Sequence, residues 1–350
     1  MQPAPRIGIV CALASAVLFG VTMPLAKVML GGIPPWLLAG LLYLGTGLGL
    51  GAVRLWRVRR GRSSEAPLRK ADLGWLAAVV LFGGILGPVL LMYGLIHSTA
   101  ATASMLLNLE GLATLAIAWM VYREPVELRL ALGALAILSG AALLSWQGGP
   151  QGFGLGALAV AGACLCWGID NNLTRKLSSA DPVAIASIKG MGAGAVNTAL
   201  ALAFGHALPA WPLAAGALLV GLAGYGVSLV LFIYALRHLG AARTGAYFAL
   251  APFVGAVVAV VALGEAATWQ LAIAGLLMAA GLHLHLAERH DHDHRHDAVE
   301  HEHAHRHDLH HQHDHGSGDP SGEPHVHRHR HAPMVHRHPH YPDIHHRHSH

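Results

Sequence analysis

The chain has 350 residues, of which 54% are hydrophobic and only 12% charged, with a formal net charge of +4 when histidine is neutral. A soluble globular domain carries about a quarter charged residues, so these values exclude a water-soluble enzyme or nucleic-acid binder and point to the bilayer. The averages also join two different polymers. Up to Arg289 there are 17 Lys/Arg against 9 Asp/Glu, and beyond it 6 against 10, with 23 of the 28 histidines from His290 onward. The first part has the composition of a polytopic membrane protein, and the second is a polar tail that cannot bury a core.

A helix rises 1.5 Å per residue and needs about 20 apolar residues to cross a hydrocarbon layer of about 30 Å. Ten runs meet or approach that length. In chain order they are Ile7–Met29, Pro35–Val53, Leu73–Ile96, Thr99–Val121 and Leu130–Trp146. The second five are Gly154–Leu173, Pro182–Gly205, Leu213–Leu236, Ala242–Leu263 and Trp269–Leu286. The first run lacks a small-residue cleavage site after "VTMPLAKVML", so it reads as a retained helix rather than a signal peptide. Cys11, Cys164 and Cys166 lie inside apolar runs and read as small buried residues.

Basic residues give the orientation. With the N terminus in the cytoplasm, "RLWRVRRGRSSEAPLRK", Arg123, Arg129, Arg175, Lys176, Arg237 and Arg243 all fall in cytoplasmic loops, and the opposite loops hold essentially Lys27 alone. The expectation is an integral protein of a bacterial inner membrane with both termini cytoplasmic. Trp36, Trp75, Trp146, Trp211 and Trp269 stand near span ends, as interfacial aromatics do.

The two sets of five runs are alike. "LLMYGLIHSTAATASMLLNLEGLATLAIAWMVYRE" aligns with "LFIYALRHLGAARTGAYFALAPFVGAVVAVVALGE" at an offset of 141 residues, pairing His97 with His238 and Glu124 with Glu265. "LFGVTMPLAK" aligns with "CWGIDNNLTR" at an offset of 148, pairing Gly20 with Gly168 and Pro34 with Pro182. Five spans is an odd number, so the repeats must be inverted. Inverted repeats are a mark of secondary transporters, which hold their substrate near the midplane between repeats.

These same runs carry a resemblance. "AVLFGVTMPLAK", "CLCWGIDNNLTRK" and "AARTGAYFALAPFVGAVVAVVALGEAATWQLAIAGLLMAAGLHL", with the partner ending "YREPVELRLALGALAILSGAALL", resemble the EamA-type branch of the drug/metabolite transporter superfamily. The likeness spans about Ile7 to Leu286. It implies an all-α polytopic membrane protein of ten transmembrane helices in two inverted five-helix repeats (residues 7–146 and 154–286), followed by a disordered His-rich tail (290–350). The implied activity is secondary-active export of small metabolites or drugs by alternating access, and the motifs are nearly silent on cargo. No HExxH, Gly-x-Ser-x-Gly or phosphate-cradling loop is present, so no enzyme, required cofactor or nucleic-acid partner is expected.

The family usually has a proline midway along its fourth and ninth helices. Pro252 keeps it in the second repeat, whereas the first repeat reads Glu110-Gly111. A carboxylate at membrane depth costs about 2.5–3.5 kcal/mol on insertion scales, so Glu110 is read as a cavity residue that carries a proton, beside a helix break at Gly111 and Pro252. The alternative is a structural Glu110, paired with Lys189 or hydrogen-bonded by Asn108. Asp170, Asn171, Asn197 and Trp167 complete the expected substrate and proton pathway. Lys189 snorkelling to the headgroups, and Asp170 pairing with Arg175, are the plainer readings of those two charges.

The tail alternates histidine with charge. His290, His292, His294, His296, His301, His303, His305, His307, His310, His311, His313 and His315 form its first cluster. His325, His327, His329, His331, His336, His338, His340, His345, His346, His348 and His350 form its second. Imidazole suits Zn, Ni, Co and Cu, and no four-ligand spacing is fixed, so many shallow, exchangeable sites are expected. The tail is read as regulatory. The alternatives are that it feeds a metal exporter, or that the protein is a membrane metal sensor or buffer without transport. Expected partners are a small-molecule substrate, the lipid bilayer and transition-metal ions at the tail, with a homodimer admitted.

Overall fold

The structure is a computed structural model that describes residues 4–60, 68, 72–122, 128–146, 154–174, 177, 181–239 and 241–286, together with four short strands in the tail. Ten helical spans are described. In the first repeat they are α1 (Ala4–Met29), α2 (Pro35–Arg59), α3 (Leu73–Ile96), α4 in two halves (α4a, Ala100–Leu106; α4b, Leu109–Tyr122) and α5 (Leu128–Ser145). The second repeat has α6 (Leu155–Thr174), α7 (Pro182–Ala203) and α8, built from Trp211–Gly221, Leu222–Val227 and Ser228–Leu239. It ends with α9 in two halves (α9a, Ala241–Phe248; α9b, Ala251–Leu263) and α10 (Trp269–Leu286). Continuous helix is what a bilayer demands, because no water is there to satisfy a free N–H or C=O.

The packing obeys the repeat. Helix α2 lies on α7 and α5 on α10, each against its own counterpart, while α1 lies on α8 and α9b as α6 lies on α3 and α4b. Gly20 of α1 abuts Ala251, Val254 and Gly255, and its counterpart Gly168 of α6 abuts Ala113 and Thr114, the residues 141 positions earlier than Val254 and Gly255. The two sequence offsets therefore meet at one pair of equivalent contacts. That agreement establishes the inverted repeat in three dimensions.

Two features at mid-depth were not fully foreseen. The helical ladder widens into π-helical turns at Val80–Leu86 in α3 and Leu222–Val227 in α8, again related by the repeat. Helices α4 and α9 break at Leu107–Asn108 and Ala249–Leu250. Both breaks fall ahead of the residues expected to mark them. Pro252 sits in the first turn of α9b, where its missing N–H costs nothing, and Gly111 is the third residue of α4b.

One face of the membrane bundle receives the start of α1 (the near face), and the other receives its end at Met29 (the far face). Beyond α10, four short strands are described in the tail. They are β1 (Asp293–His296), β2 (Glu300–His305), β3 (His325–Arg330) and β4 (Met334–Arg337), with β1 antiparallel to β4 and β2 to β3. The remaining tail histidines lie outside the described residues.

Candidate functional site

The break in α4 creates the site's first element. At Leu107–Asn108 the ladder is interrupted, and the Asn108 side chain donates to the Met105 carbonyl (2.8 Å). Glu110 follows in the first turn of α4b, where a helix N-terminus favours negative charge. Its Oε1 accepts from Asn171 Nδ2 at 3.0 Å, and the same amide nitrogen lies 3.2 Å from Thr114 Oγ1. Neither structural partner proposed from the sequence holds Glu110: Asn108 turns to Met105, and Lys189 is engaged elsewhere.

Lys189, two turns into α7, forms an ion pair with Asp170 of α6. This replaces the plainer reading of a snorkelling Lys189; Arg175, the other partner expected for Asp170, lies outside the described residues. The Asp170 side chain is 6% exposed and that of Lys189 20%. Thr174 Oγ1 also donates to Asp170 Oδ1, at 3.3 Å. The pair fits there because α3 presents Gly83, where any Cβ would overlap both charged groups.

The π-helical turn of α3 completes the cluster. It frees carbonyls for side-chain donors: Gly83 O accepts from Tyr43 Oη (2.7 Å) and Trp167 Nε1 (3.0 Å), and Gly84 O accepts from Asn197 Nδ2 (3.1 Å). Glu110 of α4b, Trp167, Asp170 and Asn171 of α6, and Lys189 and Asn197 of α7 are thus brought together beside the π-helical turn of α3. Asn172 instead locks α6 to α4b through the Thr114 and Gly168 carbonyls (3.0 and 2.9 Å).

Sequence reasoning missed the aromatic wall beside this cluster. Tyr43 stacks near Tyr225 (ring centroids 5.6 Å apart), Tyr225 near Phe19 (5.8 Å), and Phe19 near Phe248 (5.4 Å). One signal was available: Phe19 is the 148-residue counterpart of Trp167. The counterparts of the charged groups are neutral. Asp170 corresponds to Thr22, Lys189 to Leu41 and Glu110 to Ala251, and Gly224 abuts Thr22 as Gly83 abuts Asp170. At each pair of equivalent positions one is charged and the other is not.

The site is accessible at Asn171. Leu165 is 52% exposed and marks the bilayer side of α6. Asn171, six positions on, lies about 120° round the helix. It shares its face with Cys164, which is 1% exposed against the Leu106 carbonyl, yet Asn171 itself is exposed. Asn171 is thus accessible close to the near-face end of α6, which finishes at Thr174.

The far face is shut. Met23, Ile33, Leu37, Leu91, Met92 and Leu95 are all less than 2% exposed. Lys27 donates to the carbonyls of Leu95 and of Ser98 (2.8 Å to the latter). Glu265 accepts from the Ala100 and Ala101 amides at 2.7 and 2.8 Å, capping α4a from across the repeat. Its counterpart Glu124 lies outside the described residues. Among the described residues no three His, Cys, Asp or Glu side chains converge on a point that would hold a metal ion.

The model of the EamA-like transporter family matches residues 6–146 and 154–286, one match for each repeat. The chain belongs to the EamA-like transporter family. It is 28% identical over 296 residues to an "Uncharacterized transporter" of Methanothermobacter thermautotrophicus, covering 79% of this chain and 85% of that one. It is 29% identical over 230 residues to a "Probable terminal-alkyne amino-acid exporter" of Streptantibioticus cattleyicolor, covering 65% of this chain and 75% of that one. Among solved structures, one titled "Crystal structure of protein" superposes with a TM-score of 0.57 at 23% identity, over 81% of this chain and 96% of that one, which is a likeness of fold. This EamA-like protein is therefore an integral membrane transporter of small molecules.

Proposed function

We propose that this EamA-like protein is a proton-coupled exporter of small zwitterionic metabolites, amino acids or close analogues, working by alternating access. The observation that carries the reading is the mixed-charge cluster of Glu110, Asp170 and Lys189 on α4b, α6 and α7, beside the exposed Asn171 close to the near-face end of α6. Charged groups at membrane depth are costly and normally mark a pathway. Here Glu110 offers a carboxylate to an ammonium group, Lys189 offers an ammonium to a carboxylate, and Asn171 and Tyr43 add hydrogen-bonding capacity. Phe19 and Tyr225 supply an apolar wall for a side chain. The amino-acid exporter among its relatives supports the same class.

In this reading the near face is cytoplasmic, because the Lys/Arg-rich ends and loops, including Arg54, Arg57, Arg59 and Arg60, lie on that side. Solute enters from the cytoplasm beside Asn171 and exchanges with the proton on Glu110. The Lys27 and Glu265 contacts then part as the far face opens. No nucleotide-binding loop is present to supply energy, so an ion gradient drives the cycle. Metal as cargo, the alternative reading, draws nothing from this cluster.

Everted membrane vesicles of an expressing strain test the proposal. Imposed proton gradients should drive uptake of radiolabelled amino acids beyond that of vesicles bearing Glu110→Gln. Gradient-independent uptake, or accumulation of Zn2+ or Ni2+ in place of amino acids, would overturn it.

A further inference from the structure

Helices α9b and α10 follow one another in the chain, yet each packs elsewhere: α9b lies on α1 and α4a, and α10 chiefly on α5. The gap left between them is a groove of about 500 Å³. Val257 and Val261 form one wall, Leu276 and Ala279 the other, and Met105 of α4a and Ala256 the floor. The walls are exposed and the floor is buried, so the groove opens sideways, into the bilayer that these spans cross. Its lining is apolar throughout. It runs from Val261, near the far face, to Phe253 at mid-depth. Eight helical steps from Phe253 to Val261 rise about 12 Å, close to the share of about 15 Å that one leaflet contributes to the hydrocarbon core.

The repeat shows that the groove belongs to this sequence and is not imposed by the architecture. At the 141-residue offset, Ala256, Val260, Gly275 and Ala279 stand where the first repeat has Leu115, Trp119, Ala134 and Leu138, all larger. Phe253 and Val257 reverse the trend, against Leu112 and Ala116. An empty gap forfeits dispersion contacts along its whole lining, and at this depth no water is at hand to fill it. Lipid tails are as apolar as leucine, so an occupant drawn from the bilayer is held by packing and not by the hydrophobic effect. The floor also reaches the α4 break. Asn108 Nδ2 donates to the Met105 carbonyl (2.8 Å) and lies 3.7 Å from Met278 Sδ of α10. Glu265 holds the other end of α4a, so whatever presses on Met105 braces that half-helix between the break and the far face. We propose that the groove holds one acyl chain of a far-leaflet phospholipid, seated on Met105, and that this chain keeps α4a where it closes the far face. The binding site is independent of what the protein carries; only the effect on closure rests on the transport reading.

The test reconstitutes the full-length chain in phosphatidylcholine liposomes doped with the same lipid bearing a diazirine midway along one acyl chain. After illumination, cross-linked peptides are mapped by mass spectrometry. Insertion at the buried Met105 should match or exceed insertion at Leu135, the exposed counterpart of Leu276 on α5. Ala279→Leu, which copies Leu138, and Gly275→Leu should each cut insertion at Met105 at least about fivefold and leave Leu135 unchanged. Ala279 is exposed, so the first of these variants leaves the helix packing intact. Closure is read from the maleimide reactivity of Ala103→Cys in lipid-free detergent. Adding phosphatidylcholine should slow it at least about threefold, whereas with Ala279→Leu it should be slow from the outset, because the leucine takes the place of the chain. No insertion at Met105, or insertion that both filling variants leave unchanged, would overturn the site. A copy-to-copy disulfide at Gly275→Cys would overturn it in favour of a second chain. Insertion at Met105 with lipid-independent labelling would overturn the brace on α4a and leave the transport reading untouched.

Discussion

Replacing Lys189 by methionine removes the cation and leaves the Asp170 carboxylate buried, with a hydrogen bond from Thr174. Breaking a buried ion pair from one side costs about 3–5 kcal/mol. The Lys189 side chain keeps 20% exposure, so water already screens part of the interaction and about 2–3 kcal/mol is the better figure here. Glu110→Gln is a different perturbation. A glutamine carbonyl still accepts from Asn171 and no cation is stranded, so the loss should stay below about 1 kcal/mol. Thermal unfolding in detergent, followed by retention of a monodisperse peak after heating, should therefore rank the parent and Glu110→Gln close together and Lys189→Met well below. Adding Asp170→Asn to Lys189→Met should recover most of the loss. If Glu110→Gln proved as destabilising as Lys189→Met, Lys189 would be serving Glu110 after all, and the pairing argued above would be wrong.

Further outcomes follow from other contacts. Glu265→Ala removes two charge-assisted hydrogen bonds that hold α4a at the far face, each worth about 1.5–3 kcal/mol. A cysteine placed at Ala103, now fully buried, should then react faster with a membrane-impermeant maleimide added from the far side; unchanged labelling would remove Glu265 from the closure. Gly83→Ala should abolish transport and lower stability by displacing the ion pair, while Gly74→Ala, whose Cβ meets nothing within 4 Å, should be neutral. Trp167→Phe keeps the ring but loses the bond to Gly83 O, and should cost about 1 kcal/mol in stability, read by the same thermal assay. Reporter fusions after Arg60 and after Gly149 should report opposite sides of the membrane, the first cytoplasmic.

Much of this architecture was legible in the sequence because bilayer physics leaves few choices. Apolar length gives the spans, and the 141- and 148-residue offsets give the inversion that Gly20 and Gly168 display in packing. Glu110, Asp170 and Lys189 stood out because charge inside an apolar run is expensive. What could not be read was who pairs with whom. Lys189 and Asp170 are 19 positions apart on different helices, and Glu110 lies at a similar depth, so spacing alone left Glu110 as an equally good partner. The π-helical turns were hidden as well, since "LFGGIL" and "LAGYGV" read as ordinary apolar helix. Their glycine pairs were the available hint, and the donors that meet the freed carbonyls, Tyr43, Trp167 and Asn197, come from helices distant in sequence.

The central claim is that Glu110 couples solute movement to a proton, and proton movement is its most direct readout. Purified protein is reconstituted into liposomes loaded with a pH-sensitive dye, and a mixture of the protein amino acids is added outside. The parent should show solute-dependent proton flux together with gradient-driven accumulation of label. Glu110→Gln should still exchange labelled for unlabelled amino acid, with no proton signal and no accumulation. Proton flux and accumulation equal to the parent in Glu110→Gln would contradict the account.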